Sequence, residues 1–151
     1  MDKNVKTGLI IRGMAVAVIS TSHEEQALDD YTDRYDAWYN SPKGRALLAT
    51  EVACLRPLLE LFPRPYLEVG VGTGRFAEAL SIEHGLDSSP RALEKARRRG
   101  VNAVLGRGEN IPLEDVYFGG VLVAFTLCFV RNPFKVMSEV RRVLVPNGGL
   151  V

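Results

Sequence analysis

The run Tyr66-Leu67-Glu68-Val69, followed by Gly70-Val71-Gly72-Thr73-Gly74, constrains this chain more than any other stretch. An apolar segment with one acid inside it breaks into glycine at every second position, and Phe76, Ala77 and Leu80 then recur at helical spacing. Physically this reads as a buried strand, a tight turn, and a helix that begins beneath the turn. Glycine lets the backbone take positive φ and lets another group approach bare main chain. The helix start adds unpaired N–H groups and the positive end of its dipole. Such a unit belongs to α/β sheets, where ligands sit outside the carboxyl ends of the strands.

The glycine spacing separates two ligand classes. A dinucleotide fingerprint asks for Gly-x-Gly-x-x-Gly around a pyrophosphate. Here Gly74 comes one residue early, and Arg75 stands where that fingerprint wants Gly or Ala. Glu68, just before the first glycine, repels a pyrophosphate and suits a ligand bearing an ammonium group. An amino-acid nucleoside such as S-adenosylmethionine meets both conditions. Ile82 to Leu86 reads as a second strand with Asp87 at its carboxyl end. Asp87 follows Gly70 by about 17 residues, near the roughly 20 expected of a carboxylate that accepts from ribose hydroxyls. A helix N-cap before Pro90 is the plainer role for this acid, but Ser88 or Ser89 can supply that cap instead.

The rest of the chain fits one domain of 151 residues, 46% hydrophobic and 25% charged. A formal net charge of +1 argues against nucleic acid or an acidic membrane as a general partner. Cys54 and Cys128 form no disulfide framework, which points to a reducing cytoplasm, and an apolar, buried thiol is the expectation for Cys128. His23 and His84 have no metal-like or triad-like neighbourhood, so no metal site is assigned. The run Met14 to Ile19 imitates a secretory core but is short, lacks a clear cleavage site, and cannot span a bilayer. Residues 1–22 are therefore expected to be a disordered or dispensable extension, with Met14 an alternative start.

Tyr31, Tyr35, Trp38 and Tyr39 recur at approximate helical spacing, followed by Ser41-Pro42 as the start of a second helix with Pro57 inside it. Ser89 to Gly100 is amphipathic, and its arginine run reads as a solvated face at a helix C-terminus. Val101 to Leu105 is a third strand, the apolar stretch Tyr117 to Phe125 a fourth, and Asn132-Pro133 opens a helix to Val143. A fifth strand is expected at Leu150-Val151.

Leu67 to Ala77 resembles the first motif of class I S-adenosylmethionine-dependent methyltransferases, and within them the subgroup with ubiquinone- and menaquinone-biosynthesis enzymes (the type 11 methyltransferase domain). The resemblance runs from about Tyr35 to Val151. It implies a Rossmann-like three-layer α/β sandwich with a mainly parallel sheet in the order 3-2-1-4-5-7-6. It also implies a helical cap over 23–63 and a cofactor core over 64–151. Gly106-Arg107-Gly108-Glu109-Asn110-Ile111-Pro112-Leu113 resembles the family's Gly-Asp-Ala-Glu-x-Leu-Pro-Phe segment, with Arg107 in place of its first acid. Adenine contacts then fall to the backbone around Arg107 and Gly108, with Glu109 tying down the loop. Gly119 stands where the family has Asp. Glu68, Gly70, Gly72, Gly74 and Asp87 are assigned to the cofactor, Glu68 acting through water or by fixing the turn. Thr126 is the polar candidate facing the reacting methyl group. Glu139 and Arg142 match the phrase Glu-x-x-Arg-x-Leu and read as structural.

The resembled fold continues past strand five, so the chain is expected to be incomplete there. Strand four would be barely covered on one side, and the exposed sheet edge would invite self-association. Methyl transfer from a sulfonium is an in-line displacement that needs alignment in a water-poor pocket. No acid–base pair is evident, and no catalytic residue is assigned. The expected function is methyl transfer to a small-molecule acceptor. A non-catalytic cofactor-binding or interaction module is the alternative, and a nicotinamide oxidoreductase is disfavoured by the early third glycine.

Overall fold

The computed structural model describes residues 10–11, 14–15 and 23–151, with side chains described from residue 31 onward. The expected extension over 1–22 lies largely outside them. Within it, β1 (Ile10–Ile11) pairs antiparallel with β2 (Met14–Ala15). The core then runs α1 (His23–Trp38), α2 (Pro42–Leu59), β3 (Tyr66–Val69), α3 (Arg75–Leu80), β4 (His84–Asp87) and α4 (Pro90–Arg98). It continues with β5 (Asn102–Leu105), β6 (Phe118–Leu122), α5 (Pro133–Val143) and β7 (Leu144–Leu150).

Three helices start by one device. Ser41, Ser89 and Asn132 each accept a hydrogen bond from a main-chain N–H three residues on, and proline follows each at the first helical position. Pro57 neither kinks α2 to a stop nor ends it at once, since the helix continues to Leu59.

The main sheet has the order β5-β4-β3-β6-β7 and every pairing is parallel. Tyr66 to Val69 and Phe118 to Leu122 are buried throughout, as central strands covered on both faces must be. On one face, Leu59, Tyr66, Phe76, Leu80, Leu93 and Ala96 bring α2, α3 and α4 against the sheet. On the other, Val136, Val140 and Val143 of α5 pack on Leu67, Val69, Phe118 and Val121. Strand β6 is thus enclosed on both sides, contrary to the expectation that one side would be bare.

Strand β7 begins at Leu144, directly after α5, rather than at Leu150. Leu144 pairs with Phe118, whereas Gly149 pairs with Gly120, and the register shifts between them. The shift falls at Gly119. A Cβ there would lie 1.8 Å from the carbonyl oxygen of Pro63, so a side chain at this position would drive the incoming segment off the sheet. Glycine here lets the Pro63 carbonyl approach the strand in a way an aspartate would not without a shift of that segment.

Two further expectations are corrected. The arginine run of α4 is solvated at Arg97 and Arg98 but not at its end: Arg97, though exposed, donates to the carbonyl of Ala103, and Arg99 is largely buried and donates to the carbonyl of Thr73 at 2.7 Å. Cys128 is exposed because Phe125 to Phe129 leaves the sheet instead of continuing β6, and Cys54 is exposed on α2. Among the described residues, no helix is long and apolar enough to cross a membrane.

Candidate functional site

Strand order reverses between β3 and β6, and a cavity of about 670 Å³ opens outside the carboxyl ends of the strands at that point. That is where open α/β sheets place their ligands, and the volume suits a small molecule. Glu68, Gly70, Gly72, Asp87, Arg107, Gly108, Glu109 and Thr126 all line it. Gly74 does not.

The turn that floors the cavity is closed by its own main chain. The N–H groups of Gly70 and Val71 donate to the carbonyl of Leu86 at 2.7 and 3.0 Å, which ties the end of β3 to β4. Gly70 has φ of +80°, and a Cβ there would stand 2.0 Å from Thr126 Oγ1. The Thr126 hydroxyl lies 3.1 Å from the Val69 carbonyl and 3.0 Å from that of Ala124, so it clamps the end of β6 to β3. Gly74 serves helix packing: with φ of +83° it presses on the backbone of Ala96 in α4. At Gly72 a Cβ would meet nothing within 4 Å. Its missing side chain leaves the cavity floor open.

Asp87 holds the turn from β4. Its Oδ2 accepts from the N–H of Gly72 at 2.8 Å and its Oδ1 from that of Ser89 at 2.9 Å. Ser89, not Asp87, caps α4. A carboxylate offers about four acceptor positions, so each oxygen retains room for a further donor. Glu68 is the opposite case. It is buried, and desolvation, with the charge of Asp87 adding to it, raises its pKa well above the ordinary value; only the N–H of Ala77 opposes. Its Oε2 has no hydrogen-bond partner among the described residues. An enclosed, unpartnered oxygen beside a cavity calls for a donor.

The loop after β5 supplies a second wall. Gly108 packs on Val69 and Val136, and the carboxylate of Glu109 accepts from the N–H groups of Arg131 and Asn132 at 2.8 and 3.4 Å. These bonds, after the one to its own N–H, lower its pKa. Arg142 fastens the same loop from α5, donating to the carbonyls of Ile111 and Leu113 and pairing with Glu139 and Asp115. Glu139 in turn accepts from the N–H of Ile111.

The third wall is the aromatic side of α1. Tyr31, Tyr35, Trp38 and Tyr39 line the cavity, and Phe76 and Phe125 continue the apolar surface. Asp36, on the same helix, anchors this wall to the turn. Its carboxylate accepts from Arg75 Nε at 2.8 Å and from Arg99 at 3.0 Å, and its carbonyl accepts from Arg75. Burial opposes its charge, but Arg75 and Arg99 outweigh that and hold its pKa at about 2. Asp36, Arg75 and Arg99 lie outside the residues that the sequence assigns to the site, where Arg75 marks only a departure from the dinucleotide spacing and Arg99 reads as solvated. The one available signal was an acid among spaced aromatics, which does not reveal its partners.

An open parallel sheet, a glycine turn at the switch point and a strand-end carboxylate bonded to that turn define an α/β domain built to hold a nucleoside-type ligand. The chain belongs to the methyltransferase domain family, whose model matches residues 67–151. It is 58% identical over 117 residues to an uncharacterized protein of Mycobacterium tuberculosis, covering 78% of this chain and 41% of that protein. It is 34% identical over 102 residues to a demethylmenaquinone methyltransferase of Thermotoga maritima, covering 62% and 44% respectively. Among solved structures it resembles an S-adenosylmethionine-dependent methyltransferase of Thermotoga maritima, described as a possible histamine N-methyltransferase. The TM-score is 0.75 and the identity 36%, over 83% of this chain and 58% of that one. The chain thus spans about two-fifths to three-fifths of the length of these relatives.

Proposed function

We propose that this chain is the cofactor-binding part of an S-adenosylmethionine-dependent methyltransferase acting on a small molecule. The carrying observation is the pairing of Asp87 with the main chain of Gly72 beside an open floor. It leaves a carboxylate at the strand end poised for ribose hydroxyls. The unpartnered Oε2 of Glu68 offers the methionine ammonium a place to be received, directly or through water. The backbone around Arg107 and Gly108 would take the adenine, held in place by Glu109. Gly70 and Thr126 line the cavity and, with Gly74 behind them, fix the shape of the turn on which the ligand would rest.

The bound cofactor supplies an electrophilic methyl group on a good leaving group. The protein's part is alignment and exclusion of water, which the aromatic wall of α1 and the rings of Phe76 and Phe125 provide. The same reading takes 23–63 as a cap and 64–151 as the cofactor core, in a cytoplasmic enzyme.

Calorimetric titration tests this directly. S-adenosylhomocysteine should bind and NADH should not. Asp87→Ala should weaken S-adenosylhomocysteine at least about tenfold, the scale of one lost charge-assisted pair. Absence of affinity in the unaltered protein would overturn the proposal. Binding without product across a panel of acceptors would favour a module that holds the cofactor but does not use it.

A further inference from the structure

The helical wall of the cavity carries more chemistry than water exclusion requires. Along α1, Tyr31 stacks on Tyr35 at 6.2 Å, Tyr35 meets Tyr39 edge-on at 5.2 Å, and Trp38 meets Tyr39 at 5.1 Å. Tyr31, Tyr35 and Trp38 keep 40–49% of their surface exposed while lining the cavity, so ring area remains open to a ligand. Glu51 of α2 lines the same cavity. The residue is partly exposed, but its Oε2 is enclosed and has no hydrogen-bond partner among the described residues. Burial raises its pKa, the mark of a carboxylate short of compensation.

The cations fastened to Asp36 do not supply that compensation. Arg75 is bonded to Asp36 and Asn40, and its guanidinium faces the ring of Tyr39 at 6.0 Å. Arg99 and Lys95 also pair with Asp36. The other acids on the cavity lie elsewhere: Glu68 and Asp87 on the sheet, and Glu109 on the loop after β5, bonded to Arg131 and Asn132. Open aromatic faces next to an unpartnered carboxylate form the arrangement that recognises an ammonium. The rings attract the cation through their quadrupoles, and the carboxylate accepts its N–H groups.

We infer that the molecule seated against α1 is an amine with an apolar or aromatic body, its ammonium group directed at Glu51 and its body against Tyr31, Tyr35 and Trp38. That this molecule is the methyl acceptor rests on the function proposed above. The recognition of an amine does not. Glu51 and the rings are binding residues here, and no proton transfer is assigned to them.

The test uses phenethylamine and its uncharged analogue 2-phenylethanol as probes, titrated calorimetrically at neutral pH with and without saturating S-adenosylhomocysteine. Phenethylamine should bind about tenfold or more tightly than the alcohol. Glu51→Gln keeps the shape and removes the charge. It should bring the two affinities to within about twofold, with S-adenosylhomocysteine binding unchanged and the melting temperature not lowered. Trp38→Leu should weaken the amine in a protein that retains Glu51. Equal affinity for both probes, no binding of phenethylamine up to about 10 mM, or a preference surviving Glu51→Gln would each overturn the inference. Amine preference without S-adenosylhomocysteine binding would remove the proposed function and leave this inference standing, and the converse result would do the reverse.

Discussion

Asp36 concentrates the electrostatics of the site in one side chain. Its pKa of about 2, against an ordinary 3.8, means that the folded protein holds the charged form better than the unfolded chain does. That stabilisation is fully present above the ordinary value and is lost as pH falls toward 2. Asp36→Asn should therefore cost roughly 2 kcal/mol near neutral pH, by the energy of a shift of this size. Urea denaturation of both proteins should show the gap closing as pH drops through about 3; a gap independent of pH would refute the assignment. The sequence marks this acid only as one carboxylate among spaced aromatics and gives no sign of its partners. Its partner Arg99 stands 63 positions away, and only the packing of α1 on α4 brings them together. The places of Glu68, Gly70 and Gly72 on the cavity were legible for the opposite reason, because a strand, turn and helix only a few residues apart dictate where they go, and that of Asp87 followed from its position at the end of the next strand. Arg99, read as solvated, is where that local reasoning failed.

At the scale of elements, the helix starts were readable wherever Ser or Asn precedes Pro, since the cap and the fixed φ act within one turn. The central strands were readable from their unbroken apolar runs. The start of β7 was not, because its register depends on a bulge at Gly119 and on how closely Pro63 approaches. Likewise Phe125 to Phe129 looked like more strand, yet Thr126 turns inward there to bond the Val69 carbonyl. This meeting of turn and strand end yields a coupled prediction. Gly70→Ala should destabilise the fold by more than the roughly 1–2 kcal/mol of a left-handed alanine, because the new Cβ strikes Thr126. Thr126→Gly in the same protein should recover part of that loss. A double-mutant cycle by thermal or chemical denaturation reads the coupling, and strictly additive effects would contradict the geometry.

Across the whole molecule, the cavity is assembled from parts that do not otherwise form one unit: the sheet ends, the loop fastened by Arg142, and the aromatic helix fastened by Asp36. A ligand that fills it should bind only the assembled state. S-adenosylhomocysteine at about a hundred times its dissociation constant should add close to 2.7 kcal/mol, seen as a melting temperature several degrees higher. An unmoved melting curve at that saturation would argue against the assembled cavity as its seat. The Asp36 clasp has one more result, for the traffic of small molecules. The acid that holds the aromatic helix also grips the arginine opening α3 and, through Arg99, the carbonyl of Thr73. Slackening that grip cannot be confined to one occupant. Residence times for whatever sits on the glycines and whatever sits on the rings should shorten in step.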